Sequence, residues 1–115
     1  IQRKDYKKAF EYFNKIHKKE KDLIEPYLGI GMIYGKTGDH KKAAEIFSAG
    51  LQKEIKGIID KSTKPSHIKN TLWFNLALTH IKLGNKEKAR KIFTALLKTP
   101  IQRMAKKQLE KLEGQ

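Results

Sequence analysis

Cysteine is absent from this chain of 115 residues, which excludes disulfide bonds and thiolate chemistry. Only three prolines occur, and no apolar run is long enough to span a membrane. Acidic residues are few: 12 Asp and Glu stand against 26 Lys and Arg, which gives a net charge of +14, and only three of the basic residues are Arg. Because Arg favours bidentate recognition of phosphates and base edges, this Lys-rich composition argues more for solubility and long-range steering than for a nucleic-acid site.

Patterns typical of catalysis or metal binding are also lacking. The four histidines lie on separate segments, without the i, i+4 spacing of a helical zinc site, at His17, His40, His67 and His80. Single Ser and Thr residues have no recognisable base and orienting group beside them. We therefore expect no enzyme activity, no cofactor and no metal.

The chain begins at Ile1, without Met and without an apolar leader. We therefore expect it to be a piece of a longer protein, so that the missing targeting signal says little about location. A cytoplasmic location is the default assumption, and a cell-envelope location stays open.

What the sequence does contain is an internal repeat, centred on the turn dipeptides Gly38-Asp39 and Gly84-Asn85. Aligned on these turns, small and large residues recur at matching positions in two segments. The first segment has Tyr27, Ile30, Gly31, Tyr34, Ala43, Phe47 and Leu51, and the second has Trp73, Leu76, Ala77, His80, Ala89, Phe93 and Leu97. Since glycine accepts the left-handed conformation that ends a helix, each turn predicts a helical hairpin.

Helical spacing of apolar residues continues through nearly the whole chain and predicts an all-α fold of about six helices. We expect helices near residues 5–20, 26–36, 40–60, 65–83, 86–98 and 101–112, with a loop at 61–64. Pro26 and Pro65 suit the first turns of their helices, where the missing N–H of proline leaves no bond unmade. The third helix is expected to be long, because Ile55, Ile58 and Ile59 extend its apolar stripe.

This arrangement resembles the tetratricopeptide repeat, in which large and small residues, a Gly-Asp type of turn, an Ala and an aromatic recur in each hairpin. The resemblance implies a right-handed superhelical stack of antiparallel helix hairpins, an α-solenoid forming one domain over residues 1–115. We divide it into the second half of a repeat (1–22), a repeat with an extended second helix (23–62), a further repeat (63–99) and a C-terminal capping helix (100–115). The step from Gly38 to Gly84 is 46 residues, about twelve more than the family's usual 34.

The resemblance further implies a non-enzymatic protein-interaction module whose first helices line a concave groove. Carried over residue by residue, the candidate groove comprises Leu28, Met32, Lys36, Phe74, Asn75, Leu78, Ile81 and Lys82. Some family members grip a C-terminal carboxylate with Lys and Asn at such positions, but Leu28 and Met32 replace them here and only Asn75 matches. An apolar segment or amphipathic helix is the expected ligand, with Lys36 and Lys82 meeting acidic groups at the rim. The alternative is that the aliphatic groove residues pack on neighbouring helices or on the capping helix.

A second candidate surface lies on the first helix, where apolar residues cover a wide arc. Tyr6, Phe10 and Tyr12 would contact a missing upstream helix, a partner protein or a second copy of the chain. The expected partner is another protein of unknown identity, with self-association through the truncated first repeat as an alternative. A competing hypothesis, motivated by the charge of +14, is a module that binds nucleic acid or an anionic surface. One continuous stripe of Lys would favour that hypothesis, whereas a scattered distribution would not.

Overall fold

Six helices run through the part of the chain that the computed structural model describes, residues 3–19, 23–52 and 64–114. Their bounds are α1 Arg3–Lys19, α2 Glu25–Lys36, α3 His40–Leu51, α4 Pro65–Lys82, α5 Lys86–Leu96 and α6 Gln102–Glu113. The predicted all-α fold is therefore confirmed. The predicted continuation of the third helix towards residue 60, with its stripe at Ile55, Ile58 and Ile59, lies outside the described residues.

Local sequence signals set the helix starts. Pro26 and Pro65 lie in the first turns of α2 and α4, as predicted. The side chain of Asp39 accepts a hydrogen bond from the backbone N–H of Lys42 at 3.1 Å, which satisfies one of the unpaired donors at the start of α3. Asn85 precedes α5 at the equivalent place, but its side chain makes no capping hydrogen bond within the described part of the chain.

The two glycine turns share one geometry. Gly38 has φ +94° and Gly84 has φ +83°, the left-handed conformation that glycine adopts without steric penalty. After each glycine, a backbone N–H reaches back to the carbonyl five residues earlier, from Asp39 to Tyr34 at 2.9 Å and from Asn85 to His80 at 2.7 Å. These are Schellman motifs, which satisfy carbonyl groups at the helix end and turn the chain back on itself.

Contacts between successive helices build a stack, and α2 also contacts α4. Because the turns at Gly38 and Gly84 are short, α2 with α3 and α4 with α5 form antiparallel hairpins. The contact between α2 and α4 then places the first helices of the two hairpins side by side. The exposed residues of α6 are polar apart from Met104, as expected of a capping helix, while the division into repeats proposed from the sequence stays a prediction.

The core consists of two clusters, one for each layer of the stack. The first cluster joins α2, α3 and α4 through the buried residues Ile24, Ala43, Phe47, Leu72 and Leu76. The second joins α4, α5 and α6 through Phe74, Ala77, Ala89, Phe93, Leu96, Ala105 and Leu112. Ile92 is partly buried against both clusters and links the layers. Burial of these apolar side chains is the main stabilising contribution to the fold.

Bare backbone lets neighbouring helices approach closely. A Cβ atom at Gly31 of α2 would collide with the ring of Phe47 on α3. A Cβ atom at Gly50 of α3 would lie 2.6 Å from the Cβ atom of Tyr27 on α2. Gly31 is therefore a close-approach residue, and Gly50 has the same role from the facing helix.

We expect the substitution Gly50→Ala to lower the free energy of unfolding by about 1–3 kcal/mol, because the added methyl group meets the stem of Tyr27 rather than a flexible tip. Alanine otherwise favours helices over glycine by about 1 kcal/mol. Urea unfolding followed by far-UV circular dichroism measures the effect.

Gly35→Ala is the matched control, since a Cβ atom at Gly35 would have no described atom within 4 Å other than its chain neighbours and the nearby backbone of α2. We expect it to raise the free energy of unfolding by roughly 0.5–1 kcal/mol, because only the helix preference changes. Equal changes in the two variants would contradict the close-approach argument.

Candidate functional site

A cavity of about 390 Å³ opens between α2, α4 and α6. It lies towards the lower end of the range of about 300–1,000 Å³ that is common for ligand pockets. Six of the eight candidate groove residues line it: Met32, Lys36, Asn75, Leu78, Ile81 and Lys82. The structure therefore brings together most of the side chains that the repeat register assigns to the groove.

The other two candidates do not line this cavity. Phe74 is only 7% exposed and packs edge-to-face on Phe93, with ring centroids 5.4 Å apart. It shares one face of α4 with Ala77 and Ile81, and that face packs on α5 and α6, so its assignment to an accessible groove position is corrected. Leu28 is partly buried against the cluster of α2, α3 and α4.

Six lining residues were not assigned to the groove from the sequence: Gly31, Gly35, His40, Phe47, Thr79 and Gln108. Gln108 belongs to α6, so this last described helix supplies part of the cavity wall. A signal for it exists in the sequence, because Gln108 interrupts an apolar stripe three residues after the buried Ala105 and four before the buried Leu112. Gly35 has no side chain that could indicate a place at the cavity. His40 lies at the cavity because α3 begins at this residue.

Residues 24–52 and 71–99 match the model of the tetratricopeptide repeat, and together these segments make up half of the chain. The chain belongs to the tetratricopeptide repeat family. Repeats of this family generally mediate protein–protein interaction. The first matched segment contains α2 and α3, and the second contains residues 71–82 of α4 together with α5.

A comparison with curated proteins found no match. Within the described residues, no helix is long and apolar enough to cross a membrane. The same residues contain no group of three or more His, Asp and Glu side chains placed to hold a metal ion.

The apolar side chains of the tetratricopeptide groove differ in how far they take part in the core. Leu78 and Ile81 are partly buried against the cluster of α4, α5 and α6, and they also line the cavity. Met32 lines it too and is 41% exposed, although it is a large apolar residue. The alternative of internal packing thus applies in part to α4, whereas Met32 on α2 is not among the residues packed against either core cluster.

The charge of the groove is one-sided. Lys36 and Lys82 are exposed at the cavity, each two residues before the glycine of its turn, and His40 lies beside them. Among the described residues that line the cavity, none carries a carboxylate. The groove therefore presents an apolar lining under a positive rim, which favours an anionic group on a ligand.

Asn75, the one residue that matches a carboxylate-gripping position of the family, is engaged with its own helix. Its side-chain amide donates a hydrogen bond to the carbonyl of Thr71 at 2.8 Å. The main-chain carbonyl of Asn75 accepts a hydrogen bond from the hydroxyl of Thr79, also at 2.8 Å. One of the two amide hydrogens is thus already used, which agrees with the expectation that a carboxylate clamp is disfavoured here.

The three aromatic residues of the second candidate surface do not act together. Phe10 packs edge-to-face on Tyr34, with ring centroids 5.8 Å apart, and lines a separate cavity of about 140 Å³ between α1, α2 and α3. Its assignment to an outward surface is therefore corrected, because it belongs to the contact between α1 and α2. Tyr6 is partly buried, and only Tyr12, at 56% exposure, faces solvent with most of its surface.

Exposed lysines are spread over the whole stack. Each of the six described helices carries at least one exposed Lys, with the largest groups on α1, α5 and α6. This distribution is scattered rather than confined to one element. It favours solubility and steering over a dedicated site for nucleic acid.

His80 is the tetratricopeptide position at which the first hairpin has Tyr34. Its Nδ1 atom is buried and has no hydrogen-bond partner within the described part of the chain. Burial lowers the pKa of His80, and the positive charge of Lys88 lowers it further. The folded protein therefore holds this proton less tightly than the unfolded chain does.

We expect protonation of His80 to destabilise the fold. The neutral ring of His80 contributes fully to the free energy of unfolding above the ordinary histidine pKa of about 6.5. This contribution is lost as the pH falls from there towards the lowered pKa of the folded protein. Between about pH 7.5 and pH 5, the free energy of unfolding from urea titrations should fall less in His80→Tyr than in the wild type.

Lys88→Gln is the companion variant, because it removes the second cause of the lowered pKa and leaves burial in place. Its pH dependence should lie between those of the wild type and His80→Tyr. If His80→Tyr loses stability as steeply as the wild type on acidification, His80 does not control this pH dependence.

Proposed function

We propose that this tetratricopeptide repeat protein binds a segment of another protein in the cavity between α2, α4 and α6. The observation that carries the proposal is the cavity itself, lined by Met32 together with Leu78 and Ile81 from the neighbouring hairpin. Family membership supports a protein as the partner. No catalytic step is part of the proposed role.

Covering the exposed surface of Met32 supplies a driving force for such binding. Removing apolar surface from water contributes about 25 cal/mol per Å². Methionine is flexible and polarisable, so it can adapt to side chains of different shape. The partly buried Leu78 and Ile81 give the same cavity a firmer wall, because they also pack in the core.

The proposal is tested by selecting from a random library of displayed 12-residue peptides on the wild-type protein and measuring the affinity of the enriched peptides. We expect Met32→Glu to weaken binding about tenfold or more, or roughly 1.4 kcal/mol, because a ligand would bury the new carboxylate against apolar groups. Met32 is exposed at the surface, so the variant should keep its fold.

Tyr12→Glu is the matched control, since it places the same charge on an exposed large apolar residue of α1 instead of the cavity. It should leave peptide binding unchanged. Failure to enrich any peptide, or equal affinity of the wild type and Met32→Glu, would refute the proposed binding of a peptide in the cavity. A loss confined to Tyr12→Glu would assign binding to the second surface.

Phe74→Glu is not a suitable probe of the groove, because Phe74 is buried against Phe93. We expect this substitution to lower the free energy of unfolding by about 3–5 kcal/mol, the range for removing a buried aromatic side chain, with an added penalty for the buried charge. Thermal unfolding followed by circular dichroism measures it. A Phe74→Glu protein as stable as Met32→Glu would contradict the core position.

A further inference from the structure

We infer that the bound segment inserts a large apolar side chain beside Gly35 and places a carboxylate between Lys36 and Lys82. This inference rests on the proposed binding of a protein segment in the cavity, and it specifies the chemistry of that segment. The ligand is an acidic peptide in which Asp or Glu lies close in sequence to a large apolar residue.

Gly35 differs from the other two glycines of α2 in having no packing reason to be glycine. A Cβ atom at Gly29 would collide with Phe13, and one at Gly31 would collide with Phe47. A Cβ atom at Gly35 would meet no atom of the described residues within 4 Å apart from its chain neighbours and the nearby backbone of α2. Glycine within a helix is less favourable than alanine. At Gly35 no close helix contact offsets this cost. The missing side chain instead leaves space in the cavity.

The second hairpin shows what a side chain at this position would do. Ile81 is the equivalent of Gly35, three residues before the turn glycine, and it lines the same cavity while packing against the core cluster. Position 35 is thus filled in one repeat and open in the other. A ligand side chain beside Gly35 would occupy that space and contact Ile81 and Leu78 across the cavity.

The two lysines at the cavity are placed to select the charge of the ligand. Lys36 follows Gly35 and Lys82 follows Ile81, so they occupy equivalent positions on α2 and α4, which contact each other. Both lysines are exposed, and none of the described lining residues is acidic. A solvated pair of this kind contributes modestly to affinity and more to steering and to discrimination against cationic segments.

The lining of the cavity favours a peptide over a nucleic acid as the anion. Single-stranded nucleic acids are held by exposed aromatic faces on which bases stack. Among the described residues that line the cavity, Phe47 is the one Phe, Tyr or Trp, and it is buried against Gly31. The large apolar side chains that remain accessible in the lining are aliphatic or Met, which suits an apolar side chain of a ligand.

The test of the apolar half is Gly35→Ile, which installs the residue that the second hairpin carries. Because its Cβ atom lies in open space, we expect the variant to be at least as stable as the wild type in urea unfolding. Its affinity for the peptide enriched from the random 12-residue library should fall at least tenfold, while Gly35→Ala should lose clearly less.

If the Gly35→Ile variant binds the enriched peptide as tightly as the wild type does, the inference is overturned. If Met32→Glu still loses binding in that case, the proposed binding in the cavity stands, and only the insertion of a ligand side chain beside Gly35 is wrong. If neither variant loses affinity, the proposed function fails as well.

The test of the acidic half uses two libraries of 12-residue peptides, each with a fixed central Leu, flanked by Asp and Glu in one and by Lys and Arg in the other. We expect the wild type to enrich peptides from the acidic library alone. The double variant Lys36→Glu with Lys82→Glu should reverse this preference, since both sites are exposed and their charges invert.

Lys41→Glu with Lys42→Glu is the control, because these exposed lysines of α3 are not among the described residues that line the cavity. It makes the same change in net charge and should keep the acidic preference. Equal enrichment from both libraries, or reversal by the control as well, would overturn the inference. Displacement of the acidic peptides by a 12-nucleotide single-stranded DNA at equal concentration would overturn it in favour of general anion binding.

Discussion

The packing of aromatic side chains against small residues of the paired helix holds each hairpin together, and the rest of the structure depends on it. In the first hairpin, the ring of Phe47 lies on the bare backbone of Gly31, so α2 and α3 approach closely. In the second, Phe93 is buried in a cluster with Ala77 and packs edge-to-face on Phe74. Because interiors are close-packed, a methyl group added at such a contact must displace a neighbour. This pairing fixes which face of each first helix turns inward, and the cavity opens beside the contact, since Gly31 and Phe47 also line it.

Much of this could be predicted from the sequence, because the signals are local and recur in register. Gly38 and Gly84 specify the turns through a conformation that other residues avoid, and both adopt it. Once the turns are aligned, residues on the same helical face follow from the period of 3.6 residues. Met32, Lys36 and Lys82 could therefore be assigned to one groove although the two hairpins are far apart in sequence, and all three line the cavity.

The errors arose where a third element decides the environment of a residue. Phe74 and Leu78 are four residues apart on α4, and helical spacing alone assigns both to the groove. Packing of α5 and α6 on one side of α4 buries Phe74 and leaves Leu78 at the cavity. Phe10 was misassigned for the same reason, since its partner Tyr34 lies on the next helix. Gly35 could not be singled out from the sequence, because an absent side chain has meaning only when its neighbours are known.

The differences between the two hairpins carry more information about function than their likeness. The repeats diverge at several equivalent positions, and the pair Gly35 and Ile81 is one of those that lie at the cavity. The equivalent pair next to it, Lys36 and Lys82, does not diverge, so each hairpin brings an exposed lysine to the same cavity. The proposed acidic segment would place its apolar side chain in the space beside Gly35 and its carboxylate near these two lysines.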